Sequence, residues 1–162
     1  MKVVGIDPGT AACGYGIVHE SAGRLRAIDH GWWKTPAGER PEVRLKTIFD
    51  QVAGLIEVHR PDAVVLEESF VGADARTALS VGQARGAVLV ACAVAGVACA
   101  EYAPARVKQA VCGYGRAEKA QVQRMVKTIL GLSAPPSPHH ASDALAVAIC
   151  HALAPPLLRI AG

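Results

Sequence analysis

The chain has 162 residues (16.8 kDa), 51% of them hydrophobic and 19% charged. That is apolar material for one packed domain over 1–162, with 154–162 as a short tail, and it excludes a disordered or collagen-like chain. The net charge is +3 at a pI near 8.7, which permits a nucleic-acid partner without demonstrating one. Five cysteines, at 13, 92, 99, 112 and 150, form no CxxC pair, so a zinc ribbon and a disulfide framework are both excluded.

In chain order, Lys2 to Ile6 is a β-branched run that stops at Asp-Pro-Gly. Tyr15 to His19 and Leu25 to Lys34 follow with glycine-containing connections, as in a three-stranded meander. Arg40 to His59 carries apolar residues at 45, 48, 49, 52, 55 and 56, the period of a helix. Ala63 to Leu66 is a continuous apolar strand, Asp74 to about Ala95 an alanine-rich helix, and Val97 to Tyr102 a further strand. Pro104 to Cys112 and Glu118 to Leu130 are two helices split at Gly113-Tyr114-Gly115, and a proline-rich linker, Ala134 to Pro138, leads to a last helix from about Ser142. Strands alternating with helices imply an α/β sandwich with a five-stranded mixed sheet flanked by helices. The opening MKVVGIDPG is not a signal peptide, and the longest apolar stretch, Gly86 to Ala100, falls short of the roughly 20 residues of a bilayer span. A cytoplasmic protein with no membrane segment is therefore expected.

Charge is concentrated in one place. Residues 103–130 hold six basic side chains against one acid, for +5, and the remainder carries −2. A solvated helix face is the ordinary explanation of such a run, and a nucleic-acid path is the alternative.

Three acids fall at element ends: Asp7 closes the first strand, Glu67 closes the fourth, and Asp143 opens the last helix. In an α/β sheet such ends line one crevice. Each has a structural alternative, as a turn starter, a solvated strand exit or a dipole partner. Jointly they suit a divalent cation, because a carboxylate following four apolar strand residues needs a partner of opposite charge.

The motifs G-I-D-P-G-T and G-Y-G at the start, L-E-E-S-F in the middle, G-Q-A-R-G at 82–86, R-V-K-Q-A-V-C-G-Y-G-R-A-E-K at 106–119 and S-D-A-L-A-V-A-I near the end resemble the RuvC Holliday junction resolvases over nearly the whole chain. The resemblance implies a ribonuclease H-like fold acting as a homodimer. Each subunit would hydrolyse one of two opposed strands of a four-way DNA junction, with RuvA- and RuvB-like proteins as further partners. It assigns Asp7, Glu67 and Asp143 to divalent metal, two ions of Mg²⁺ with Mn²⁺ also supporting activity. Where the family often has a fourth acid this sequence has His140, three residues before Asp143 and so able to share its face as metal ligand or proton shuttle. Imidazole suits Mn²⁺ better than Mg²⁺, and the alternative is that His139 and His140 belong to the linker. By the same resemblance Phe70 would wedge against bases at the crossover, its alternative being a core position. Lys108 and Lys119 would stand near the scissile phosphate. Arg76, Arg106, Arg116 and Arg124 are assigned to the DNA backbone, which positions the substrate without reading its sequence. The dimer contact is expected on the helix that starts at Asp74. A junction-binding scaffold without cleavage is the second reading, and the intact acids favour the enzyme.

Overall fold

The computed structural model describes residues 1–36, 38–68 and 75–155. Its elements are β1 (Lys2–Asp7), β2 (Ala12–Ser21), β3 (Arg24–Lys34), α1 (Pro41–His59), β4 (Ala63–Glu67), α2 (Ala75–Ala95), β5 (Ala98–Tyr102), α3 (Pro104–Cys112), α4 (Lys119–Leu130) and α5 (His139–Leu153). They form one sheet in the order β3-β2-β1-β4-β5. The meander β1-β2-β3 is antiparallel, whereas β4 lies parallel to β1 and β5 parallel to β4. The expected mixed five-stranded sheet is therefore present.

Local chemistry sets the boundaries. Ala22 and Gly23 both take positive φ between the paired residues Ser21 and Arg24, the two-residue turn whose twist matches a hairpin. Pro41 and Pro104 start α1 and α3 at the position where a missing N–H costs nothing, and glycines at positive φ end α3 and α4.

Alternate strand residues face opposite layers. Val4, Ile6, Ile17, Val64 and Leu66 pack with Ile48 and Val52 of α1 and Val88 and Cys92 of α2. Val3, Val18, Val65 and Tyr102 pack with Val107 of α3, Val126 of α4 and Leu145 and Ile149 of α5. Helix α2 is long and apolar enough to cross a membrane by length and composition alone, which extends the shorter apolar stretch read from the sequence. Here it lies on the sheet, with Ala84, Val88, Ala91 and Cys92 buried.

On the second face α5 comes unusually close to the strands, and glycine is the reason. A Cβ at Gly5 would run into the carbonyl of Ala144, one at Gly14 into the backbone of His140, and one at Gly16 would stand 2.6 Å from Leu145 Cγ. Glycine inside a strand is what permits such an approach. The helix also begins earlier than expected. Pro138 supplies its N-cap and the first turn is His139-His140-Ala141, so Asp143 lies in the second turn and does not open the helix.

Candidate active site

Strand pairing builds the site. Ile6 pairs in parallel with Leu66, so the next residues, Asp7 and Glu67, end adjacent strands at one edge. Asp7 follows Gly5, and Glu67 follows Val65, on the face covered by α5. The row continues outward on both sides: Tyr102 beside Glu67, then Gly14 beside Asp7 and Trp32 beside Gly14.

The close approach of α5 delivers His140 and Asp143 to this edge. A hydrogen bond of 2.7 Å joins His140 Nδ1 to Asp7 Oδ2, and Lys119 Nζ, at the start of α4, donates to Asp143 Oδ2 at 2.8 Å. Burial pushes the Glu67 carboxyl up to about 7; the charges of Asp143 and Asp7 push the same way, against the pull of Lys108 and Lys119. Asp7 is raised as well, chiefly by burial and then by Asp143, while His140 and Lys119 draw it down. The three carboxylates thus share one field.

Two cavities flank the acids. One of about 310 Å³ is lined by Glu67, Asp143, Lys108 and Lys119. The other, about 360 Å³, lies beyond His140 between the Gly9–Ala12 turn and Arg76, Thr77 and Ser80 of α2. The turn is held from behind: the Thr10 carbonyl accepts from Arg44 and from the hydroxyl of Thr35, and the Thr10 hydroxyl bonds that of Ser80. A further cavity, about 890 Å³, is remote, near Gly23, Thr128 and Leu153, and no acid lines it.

Of the remaining sequence candidates, Arg106 stacks over the Tyr102 ring at 5.3 Å, one strand from Glu67. Arg116 is exposed in the turn before α4, and Arg124 is exposed on the side of α4 opposite the buried Val122 and Val126. Neither is drawn into the cluster of acids. Phe70 lies outside the described residues. Sequence reasoning missed the Arg44–Thr35–Thr10 brace, because its partners are far apart in the chain and only the fold joins them. It also missed the pairing of His140 with Asp7.

Among the described residues, no group of three His, Cys, Asp and Glu side chains stands as a ready-made metal shell; Lys119 bonds Asp143 and His140 bonds Asp7. The donor set itself fits a hard divalent cation. It consists of carboxylate oxygens that repel one another, with an ammonium already drawn onto Asp143.

Residues 3–151 match the family described as crossover junction endodeoxyribonuclease RuvC. A protein of that description from Moorella thermoacetica is 53% identical over 152 residues, 94% of this chain and 91% of its own length. The structure of Thermus thermophilus RuvC superposes with a TM-score of 0.86 at 42% identity, covering 94% of this chain and 93% of that one. The same T. thermophilus protein in complex with a Holliday junction substrate gives 0.86 at 39% identity, with the same shares covered.

Proposed function

The chain belongs to the RuvC family of crossover junction endodeoxyribonucleases, and from that premise we infer how its site works. It is a metal-dependent nuclease with a ribonuclease H-like fold that resolves four-way (Holliday) DNA junctions by hydrolysing phosphodiester bonds. The observation that carries the assignment of residues is the placement of Asp7 and Glu67 on neighbouring parallel strand ends, with Asp143 close enough to raise both.

We propose Asp7, Glu67, Asp143 and His140 as the residues that hold divalent metal, two ions per site, with Mg²⁺ as the natural ion and Mn²⁺ a substitute. When bound, such ions polarise the phosphoryl group, activate water and steady the leaving oxygen. Because Nδ1 of His140 bonds Asp7, Nε2 is the nitrogen left to meet an ion or move a proton. Lys108 and Lys119 face the acids from the α3–α4 side. In that place they offset charge that develops on the phosphate. Lys119 exchanges its bond to Asp143 for one to the phosphate as substrate arrives. Arg76, Arg106, Arg116 and Arg124 grip the backbone away from the scissile bond, and Phe70 wedges at the crossover.

The subunit cuts one strand, so paired incision of opposed strands requires a homodimer. We place its interface on the outward stripe of α2, where Leu79, Val90 and Val94 are 65%, 55% and 74% exposed and share one helix face. RuvA- and RuvB-like proteins are the proposed branch-migration partners, and the cytoplasm the compartment. The test is incubation of purified protein with labelled four-way junction and linear duplex in Mg²⁺, Mn²⁺ or EDTA, for wild type and His140→Ala. Symmetric nicks in the junction alone, absent in EDTA, are expected. A His140→Ala enzyme with unchanged metal dependence would return His140 to the linker.

A further inference from the structure

The row of residues through the acids does not end at β1. Asp7 pairs with Gly14 and Gly14 with Trp32 on the edge strand β3, so Trp32 stands two strand spacings, about 10 Å, from the Asp7 backbone. Its neighbour Trp33 packs into the core beneath α1 and stacks on Tyr15; alternation therefore turns Trp32 to the face that carries the acids. There Trp32 is 39% exposed. The chain holds only two tryptophans and is 4% aromatic, which makes a tryptophan spent on the surface expensive. Lys34, two residues on and on the same face, places Nζ 5.0 Å from the Trp32 ring centroid. His30, two residues back, completes the stripe, and none of the three is acidic.

A flat aromatic with a flanking cation and no acid suits a nucleotide: the ring stacks on a base or sugar and the ammonium takes its phosphate. An acidic protein surface would use the lysine and leave the indole unexplained. A second copy of the chain related by a two-fold axis through this stripe would bring Lys34 against its own like charge. At the far end of the same row Arg106 also lies over a ring, that of Tyr102, but Tyr102 is buried and bonds His151, so the exposed aromatic of the row is Trp32.

We propose that Trp32 and Lys34 form a nucleotide-binding platform for the junction arm that leaves the active site across β3. The proposal rests on the reading of the chain as a junction nuclease. It adds a contact that the acids, lysines and arginines of that reading do not include.

With only two tryptophans, Trp33→Phe leaves Trp32 as the sole indole reporter. In EDTA, a four-way junction should quench this variant and protect it from acrylamide. In mobility-shift titrations of otherwise wild-type protein, Trp32→Ala should bind the junction about tenfold more weakly. Trp32→Phe should recover most of the loss, and Lys34→Ala should weaken binding and flatten its salt dependence. Unchanged affinity of Trp32→Ala, or a junction that binds without altering Trp32 accessibility, overturns the platform and leaves the nuclease reading standing. Failure of wild-type protein to bind any junction overturns that reading and the platform with it. Quenching that grows with protein concentration in the absence of DNA assigns the surface to a second copy and also overturns the proposal. Should Trp33→Phe fail to fold, the affinity series at position 32 decides alone.

Discussion

The two faces of the sheet are made by alternate residues of the same strands, yet they are held by different physics. Along β1, Val4 and Ile6 are fully buried under α1 and α2, while Gly5 and Asp7 turn to α5. The first face is a volume filled by branched aliphatics, and apolar side chains of similar size and shape keep it. The second has an aliphatic core of its own but adds a set of fixed approaches, in which glycine admits a helix backbone and the helix brings its polar groups to the acids at the strand ends. A packed face tolerates change in proportion to the atoms lost. A face built on close approach fails at the first added atom.

That contrast can be broken most sharply at Asp7. Asp7→Asn should retain junction binding and lose cleavage on the order of a thousandfold, because one charged metal ligand supplies several kcal/mol in the transition state; single-turnover cleavage alongside a mobility shift measures both. Gly5→Ala tests the approach itself. The new β-carbon meets the Ala144 carbonyl, which cannot rotate away, so denaturant unfolding should show a loss of about 3 kcal/mol. Cleavage should fall with it, since His140 and Asp143 ride on the displaced helix.

The acids should also give the second face a pH signature that the first lacks. Glu67 titrates near 7 when folded and near its ordinary value when unfolded, so between those values the folded state binds more protons and stability falls as pH rises. Metal-free protein should therefore be more stable at pH 5 than at pH 8, by about 1.5 kcal/mol after discounting for the partial exposure of Glu67. Added Mg²⁺ should erase the difference by replacing the proton. An absence of any Mg²⁺ effect on the melting profile would disconnect these acids from metal. The smallest effect belongs to the packed face: Ile17→Val, fully buried there, should cost about 1 kcal/mol and leave the cleavage rate at wild type.

Much of this was legible in the sequence because the signals are local. Branched runs, the helical period of 41–59 and the Pro and Gly boundaries mark the order of the ten elements among the described residues, and the widely spaced acids sit next to those boundaries. Errors lie where local signals compete. The Gly-rich opening of β2 hides three strand residues before Tyr15, and the proline linker disguises His139 and His140 as loop when Pro138 in fact caps their helix. The glycines at 5, 14 and 16 are visible as letters, but their function as clearance for α5 exists only once helix and sheet meet. Trp32 was equally visible and equally mute, since nothing in a strand's composition says which of Trp32 and Trp33 faces outward.

Helix α5 has one more consequence. From Ala141 to Ala152 all but Asp143 are buried, and the same helix presents the groups that meet Asp7 and Lys119. Its amides can exchange with solvent only when the whole molecule opens, whereas those of a mobile catalytic loop would exchange freely. The position of Asp143 therefore has no failure mode apart from that of the fold itself. On heating, activity should persist undiminished until the cooperative transition and vanish within it, so that inactivation and global unfolding trace a single curve.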